Sequence, residues 1–213
     1  MYPDQTPRRG RFITLEGGEG AGKSTQAHRL AAALEQAGRT VVLTREPGGA
    51  PGAERLRALL LEPGAGWDPV AETLLHFAAR AEHVARTIRP ALEAGSWVVC
   101  DRYSDSTMAY QGYGQGADRA GIARLAAMIG LDPDLTIILD IAPELALRRL
   151  QARPGAPDRY EAMGAAFFAR VNAGFRAIAA AAPERCVLLP ADDSEDALAA
   201  RLLATVRERL GDA

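Results

Sequence analysis

The sequence predicts an α/β fold of three layers, in which a five-stranded parallel sheet lies between helices. Three observations carry that reading. Short apolar, β-branched runs alternate along the chain with longer segments whose apolar residues recur every three and four positions, and the turns between them are short. Such alternation produces parallel strands joined by helical crossovers, with both sheet faces covered. The third observation is size. With 213 residues, 48% hydrophobic and 24% charged, and with no internal repeat or low-complexity linker, the chain reads as a single domain over residues 1–213.

The elements follow in order. Residues 1–10 are polar, with Pro3, Pro7, Arg8 and Arg9, and read as a loose tail without the apolar core of a signal peptide. Arg11 to Glu16 alternates and stops at Gly17-Gly18, as a strand does on entering a turn. Ala27, Leu30, Ala31, Leu34 and Ala37 then mark one face of a helix from Lys23 to Ala37, closed by Gly38. Thr40 to Thr44 reads as a strand and Ala53 to Leu61 as a helix. Pro69 to Ala94 reads as two helices with a break near Pro90, followed by a strand from Ser96 to Asp101. Asp118 to Ile129 is helical in pattern, Leu135 to Ile141 is a buried strand, and Pro143 to Gln151 starts a helix with proline in its favoured first turn. Proline and glycine make Arg153 to Arg159 a loop. Tyr160 to Ala182 reads as a long helix, Arg185 to Leu189 as the fifth strand, and Ser194 to Leu210 as a final, capped helix.

Composition excludes several classes of function. A net charge of −2 provides no summed positive field for nucleic acid or an anionic membrane, so any anion must be held by a local site. No apolar run reaches the ~18 residues of a membrane span. Cys100 and Cys186 each sit in an apolar run and read as reduced core thiols of a cytoplasmic protein. The basic residues are 24 arginines and one lysine, Lys23, which suggests a need for a compact ammonium at that position.

Lys23 belongs to Gly17-Gly18-Glu19-Gly20-Ala21-Gly22-Lys23-Ser24, which matches G-x-x-x-x-G-K-[ST] between a predicted strand and a predicted helix. In this P-loop, glycines let backbone N–H groups turn inward around a phosphate, and the helix N-terminus adds its partial positive charge. Lys23 reaches the β- and γ-oxygens of a nucleoside triphosphate, Ser24 is placed to ligate Mg²⁺, and Thr25 continues the site. A guanine-reading N-K-x-D motif would require a second lysine, and the chain has none. A motor ATPase would need more chain. A small kinase fits best.

Thr44 to Gly49 and Asp101-Arg102-Tyr103 end the second and third strands, where ligands collect in an open α/β sheet. With Phe12 to Thr25, Leu74 to His83, Asp101 to Gly112, Pro133 to Asp140 and Asp158-Arg159, these segments make the chain resemble the thymidylate kinases of the P-loop nucleoside monophosphate kinase family over nearly its whole length. The resemblance implies ATP-dependent phosphorylation of dTMP, with Mg²⁺, by a homodimer.

It also implies roles for individual residues. Arg102 binds the acceptor phosphate, Asp101 sits near Mg²⁺ or orients Arg102, Arg57 grips the monophosphate, and Glu19 reaches the acceptor's sugar. Glu46 anchors an arginine or a Mg²⁺ water. Arg80 pairs with O4 of thymine, Thr107 reads its N3–H, and Ser106 and Gln111 line the same wall. Tyr110 packs below the sugar and crowds a 2′-OH. For the ring that stacks on the base, i, i+4 spacing to Arg80 favours His76, whereas ring chemistry favours Phe77, which is the expected residue. Residues 153–160 correspond to the lid. Because Ala21 follows Gly20 in the P-loop, the catalytic lid arginine is expected at Arg153, flanked by Arg149 and Arg159, as in the bacterial subclass. Arg149 and Pro190 to Asp193 are the candidates for the adenine side. The rival readings are a kinase for another small acceptor and an ATP-binding regulatory module without transfer.

Overall fold

A computed structural model describes residues 9–62, 64–152, 160 and 163–211. Five parallel strands, β1 (Phe12–Gly17), β2 (Val41–Arg45), β3 (Trp97–Asp101), β4 (Leu135–Asp140) and β5 (Cys186–Pro190), lie in the order β2-β3-β1-β4-β5. β1 is central and buried along its whole length, which is why its residues are mostly apolar on both faces. Side chains still alternate. Ile13, Leu15, Val99, Ile137 and Leu139 face one layer, while Phe12, Val98 and Cys100 face the other.

The first layer is formed by α1 (Lys23–Gln36), through Ala27, Leu30 and Leu34, and by α9 (Glu195–Leu210), through Leu198, Leu202 and Val206. The register aligns the strand ends that matter: Leu15 and Arg45 both stand opposite Asp101, and Gly17 stands opposite Leu139. After β1 the chain moves to one side of the sheet, and after β3 it moves to the other. A crevice therefore opens above the carboxyl ends of β1 and β3.

The helices confirm most of the expected elements, and three differences have physical causes. Pro69 to Ala94 is not broken at Pro90. α3 (Pro69–His83) runs through a π-helical turn, Val84–Ile88, into α4 (Arg89–Glu93). The Arg89 N–H bonds the Val84 carbonyl five residues back, so the i→i−4 ladder is already interrupted where proline cannot donate.

A short helix α5 (Ser104–Thr107) and a π-helical segment, Met108–Gly114, follow β3, and neither has a signature in the residue pattern. Ser-Asp-Ser-Thr and a glycine-rich stretch carry no apolar period, and tertiary packing makes this region helical. Gly114 admits the Phe167 ring, and Gly174 of α8 (Ala165–Ala181) admits Tyr113. α8 also starts later than the predicted Tyr160, after Gly164, whose φ is +81°. The remaining helices are α2 (Pro51–Leu60), α6 (Arg119–Ile129), capped by Asp118, and α7 (Pro143–Ala152). Arg153, Arg159 and most of the expected lid and tail lie outside the described residues.

A Cβ at Gly174 would meet Cβ and ring atoms of Tyr113 at 2.8 Å. Alanine there gains up to ~1 kcal/mol of helix propensity but overpacks at a cost of about 1–3 kcal/mol. Gly174→Ala should therefore lower stability in urea unfolding, and a stabilised variant would contradict the close approach of α8.

Candidate active site

The P-loop follows β1 directly, and its shape depends on glycine. Gly20 has φ +73°, and a Cβ there would approach the Ala146 carbonyl to 2.7 Å; Gly22, at φ +86°, is the left-handed N-cap of α1. No side chain caps α1, so its first N–H groups remain directed at the loop. Lys23 is buried and donates to the Gly18 carbonyl at 2.7 Å. Burial first, and then the charge of Arg102, push its ammonium down to about 8. Gly17 and Gly18 supply carbonyls inside the loop, and the Ala21 side chain is buried in the core. Glu19, Gly20, Gly22, Lys23, Ser24 and Thr25 line a cavity of about 700 Å³.

Across the loop, Ser24 Oγ donates to Asp101 Oδ2 at 2.5 Å, while Asp101 Oδ1 is buried without a hydrogen-bond partner. Arg102 follows with φ +70°, the one positive φ among described residues other than glycine. Its Nη1 donates to the Gly17 carbonyl at 3.3 Å and to Ser106 Oγ at 3.2 Å, and its Nη2 pairs with Glu19 and donates to the Tyr110 hydroxyl at 3.2 Å. The guanidinium lies over the Tyr110 ring, 4.9 Å from its centroid. Although burial opposes its charge, the carboxylates of Glu19 and Asp101 hold Arg102 firmly protonated. The arginine thus pairs with Glu19 rather than Asp101. Tyr110 also donates to Glu19 at 2.8 Å, so Glu19, Arg102 and Tyr110 form one cluster.

The far end of the cavity is built around Arg80, which is 2% exposed. Its Nε donates to Glu46 Oε2 at 2.8 Å, its Nη2 donates to Thr107 Oγ1 at 3.1 Å, and Nη1 is buried without a partner. Glu46 Oε1 is 3.1 Å from His83 Nδ1, and His83 Nε2 is 2.8 Å from Thr44 Oγ1. This geometry alters the expectation for the stacking ring. Phe77 is 3% exposed and lies under the Arg80 guanidinium at 4.7 Å, while His76 lines the cavity with Nε2 2.9 Å from the Tyr160 hydroxyl. Phe77 thus supports the arginine from the core side, and of the two rings it is His76 that lines the cavity.

Gln111 donates to the buried Glu72 at 2.8 Å, as does Tyr160 at 2.7 Å. Arg57 lines the cavity, donates to the Pro47 carbonyl at 2.7 Å, and has its pKa lowered by burial and by Arg45. Arg149, with Nη1 3.4 Å from the Gly20 carbonyl, and Glu195 mark the opposite end.

Sequence reasoning missed Glu16, Glu72, His83 and Tyr160. Glu16 and Glu72 are fully buried carboxyls. For Glu16 the signal was a charged residue closing an apolar strand. Glu72 lies in the first turn of α3, where an acid is common and carries no signal of burial. Tyr160 was read as the start of a helix.

A family model described as thymidylate kinase matches residues 15–202. A thymidylate kinase of Caulobacter vibrioides is 51% identical over 205 residues, covering 95% of this chain and 98% of its own length. One of Gluconobacter oxydans is 52% identical over 206 residues, covering 95% and 96%. The crystal structure of thymidylate kinase from Ehrlichia chaffeensis superposes with a TM-score of 0.77 at 36% identity, over 93% of this chain and 99% of that one.

Burial, then the charge of Asp105, push Glu16 from 4.5 up to about 8. The folded protein therefore keeps a proton that the unfolded chain releases, so the contribution is present at low pH and is lost as pH rises toward about 8. The melting temperature of the wild type relative to Glu16→Gln should fall between about pH 5 and 8.5. A difference independent of pH would rule out the raised value.

Proposed function

The chain belongs to the thymidylate kinase family, and from that premise we propose how its residues perform the ATP-dependent phosphorylation of dTMP to dTDP that the family assignment gives it. The observation that carries the proposal is the contact of Arg102 Nη1 with the P-loop carbonyl of Gly17 at 3.3 Å. Donor and acceptor phosphates held by the loop and by this guanidinium share one cavity.

An oxygen of the dTMP phosphate attacks the γ-phosphorus in line, and the bond to the β,γ-bridging oxygen breaks. The acceptor is already anionic near neutral pH, so no general base is required. Catalysis is positioning and charge neutralisation: Lys23 acts on the β- and γ-oxygens, Arg102 on the acceptor phosphate and transferred group, and Arg57 on the acceptor phosphate. Arg153 is assigned to the γ-phosphate by resemblance alone.

Mg²⁺ fits the donors present. Ser24 Oγ and Asp101 are hard oxygen ligands side by side, and the unpartnered Asp101 Oδ1 has spare capacity to hold the ion directly or through water. Bound with ATP, the ion would neutralise charge on the β- and γ-phosphates.

Arg80 Nη1 supports O4 of the base as its acceptor, and Thr107, fixed by Arg80 Nη2, supports recognition of N3–H. Tyr110, locked between Glu19 and Arg102, supports a preference for deoxyribose. Glu19 faces the same place and is assigned to the sugar.

The homodimer is supported by exposed apolar residues on helices that pack side by side: Leu59 of α2, Val70 and Leu74 of α3, and Met128 of α6. Cytoplasmic residence rests on the two buried, unpaired thiols, Cys100 and Cys186.

In a coupled assay of ADP release, dTMP should be preferred over dUMP, dCMP, AMP and GMP; another preferred acceptor would overturn the base-pocket assignment. Lys23→Ala should lower kcat by roughly 10²–10³-fold with the fold intact, and unchanged turnover would refute its role. Leu74→Glu should convert a dimer to a monomer in sedimentation velocity, and a wild type that is already monomeric would refute the dimer.

A further inference from the structure

Glu16 lies at the end of β1, immediately before the P-loop, and is fully buried. A carboxyl in that position requires hydrogen-bond partners, and all of its partners belong to the turn that carries Arg102. The Arg102 N–H donates to the Leu15 carbonyl at 2.9 Å, which extends the β1–β3 ladder by one residue. The chain then turns through φ +70°, a conformation that side chains with a Cβ avoid.

Beyond the turn, the Tyr103 N–H donates to Glu16 Oε1 at 2.7 Å and the Ser106 N–H donates to the same oxygen at 3.2 Å. The N-cap of α5, Tyr103, makes no capping bond of its own. Glu16 supplies that cap from another element. The Ser106 hydroxyl shares a hydrogen bond with Glu16 Oε2 at 2.5 Å and accepts from Arg102 Nη1 at 3.2 Å. The second acceptor for Nη1 is the carbonyl of Gly17, the residue after Glu16.

We infer that Glu16 is a positioning residue that fixes both the backbone turn and the guanidinium of Arg102 to the strand that carries the P-loop. This rests on the reading of Arg102 as the acceptor-phosphate arginine. The contact is indirect, since Glu16 reaches no phosphate itself. Removing it leaves the Tyr103 and Ser106 N–H groups without their acceptor and frees Ser106 to rotate away from Arg102. The guanidinium then loses the geometry in which it meets the acceptor. Glutamine has the same shape, with an oxygen for the two N–H groups and an amide N–H₂ that can donate to Ser106 Oγ. Glutamine therefore restores what alanine loses.

The test is steady-state kinetics, together with dTMP affinity by calorimetry, on the full chain. Glu16→Ala is expected to lower kcat/KM for dTMP roughly 10–100-fold and to weaken dTMP binding, with KM for ATP changed by less than about twofold. Glu16→Gln is expected to recover most of the loss. In an Arg102→Ala background, Glu16→Ala is expected to add less than about threefold to the loss of dTMP affinity, because the residue acts through the arginine already removed. Equal damage to both substrates, full additivity with Arg102→Ala, or a glutamine variant as impaired as alanine would each overturn the inference. If Glu16→Ala shows no cooperative melt, Glu16→Asp, one methylene shorter, takes its place with the same expected split. A wild type that does not phosphorylate dTMP would instead refute the functional reading itself.

Discussion

The geometry of the site depends on the parallel register of β1 and β3. Because Leu15 stands opposite Asp101, the last residue of β3, Arg102 leaves the sheet beside the end of β1, two residues before the P-loop begins at Gly17. Everything above the sheet inherits that alignment. The Ser24–Asp101 hydrogen bond, the contact of Arg102 with Gly17 and the placement of Glu46 beside Arg80 all connect residues distant in sequence but close at the sheet edge. A shift of one residue would turn every side chain of a strand to the opposite face, and the buried alternation of Ile13 and Leu15 against Phe12 excludes that shift energetically.

At the cavity wall and directly behind it, the buried charges occur in compensated groups. Glu46 is shared between Arg80 and His83, and Glu72 takes hydrogen bonds from Gln111, Gln115 and Tyr160. Desolvating such groups is costly, so each must keep its partners in fixed directions. The result is rigidity rather than great stability. A nucleotide enters a site whose donors are already oriented, so little ordering cost is left for the moment of transfer.

Much of this was legible in the chain. The strand–P-loop–helix motif, the five strands and the positions of Lys23, Ser24, Asp101, Arg102, Arg80 and Thr107 around one crevice followed from periodicity, glycine placement and resemblance. What escaped was mostly set by contacts across the fold. The helix at Ser104 is capped by a carboxyl from β1, and the π-helical turn before Pro90 absorbs a residue that sequence rules treat as a breaker. Between His76 and Phe77, helical spacing to Arg80 pointed to the ring that lines the cavity, and ring chemistry pointed to the one packed beneath the arginine, a contact that depends on what lies across the fold.

The clamp on Arg80 has one more consequence. An asparagine or glutamine in its place could rotate half a turn and offer oxygen where it had offered nitrogen, so it would accommodate a carbonyl or an exocyclic amine alike. A guanidinium presents only hydrogens around its plane, and two anchored edges hold the third in a fixed orientation. With Arg80 in the role proposed for it, a pyrimidine carrying an amine where thymine carries oxygen would bring hydrogen against hydrogen, with no rotamer available to relieve the mismatch. Selectivity of this kind would come from the side chain's inability to adapt, and it would hold even when the wrong nucleotide is abundant.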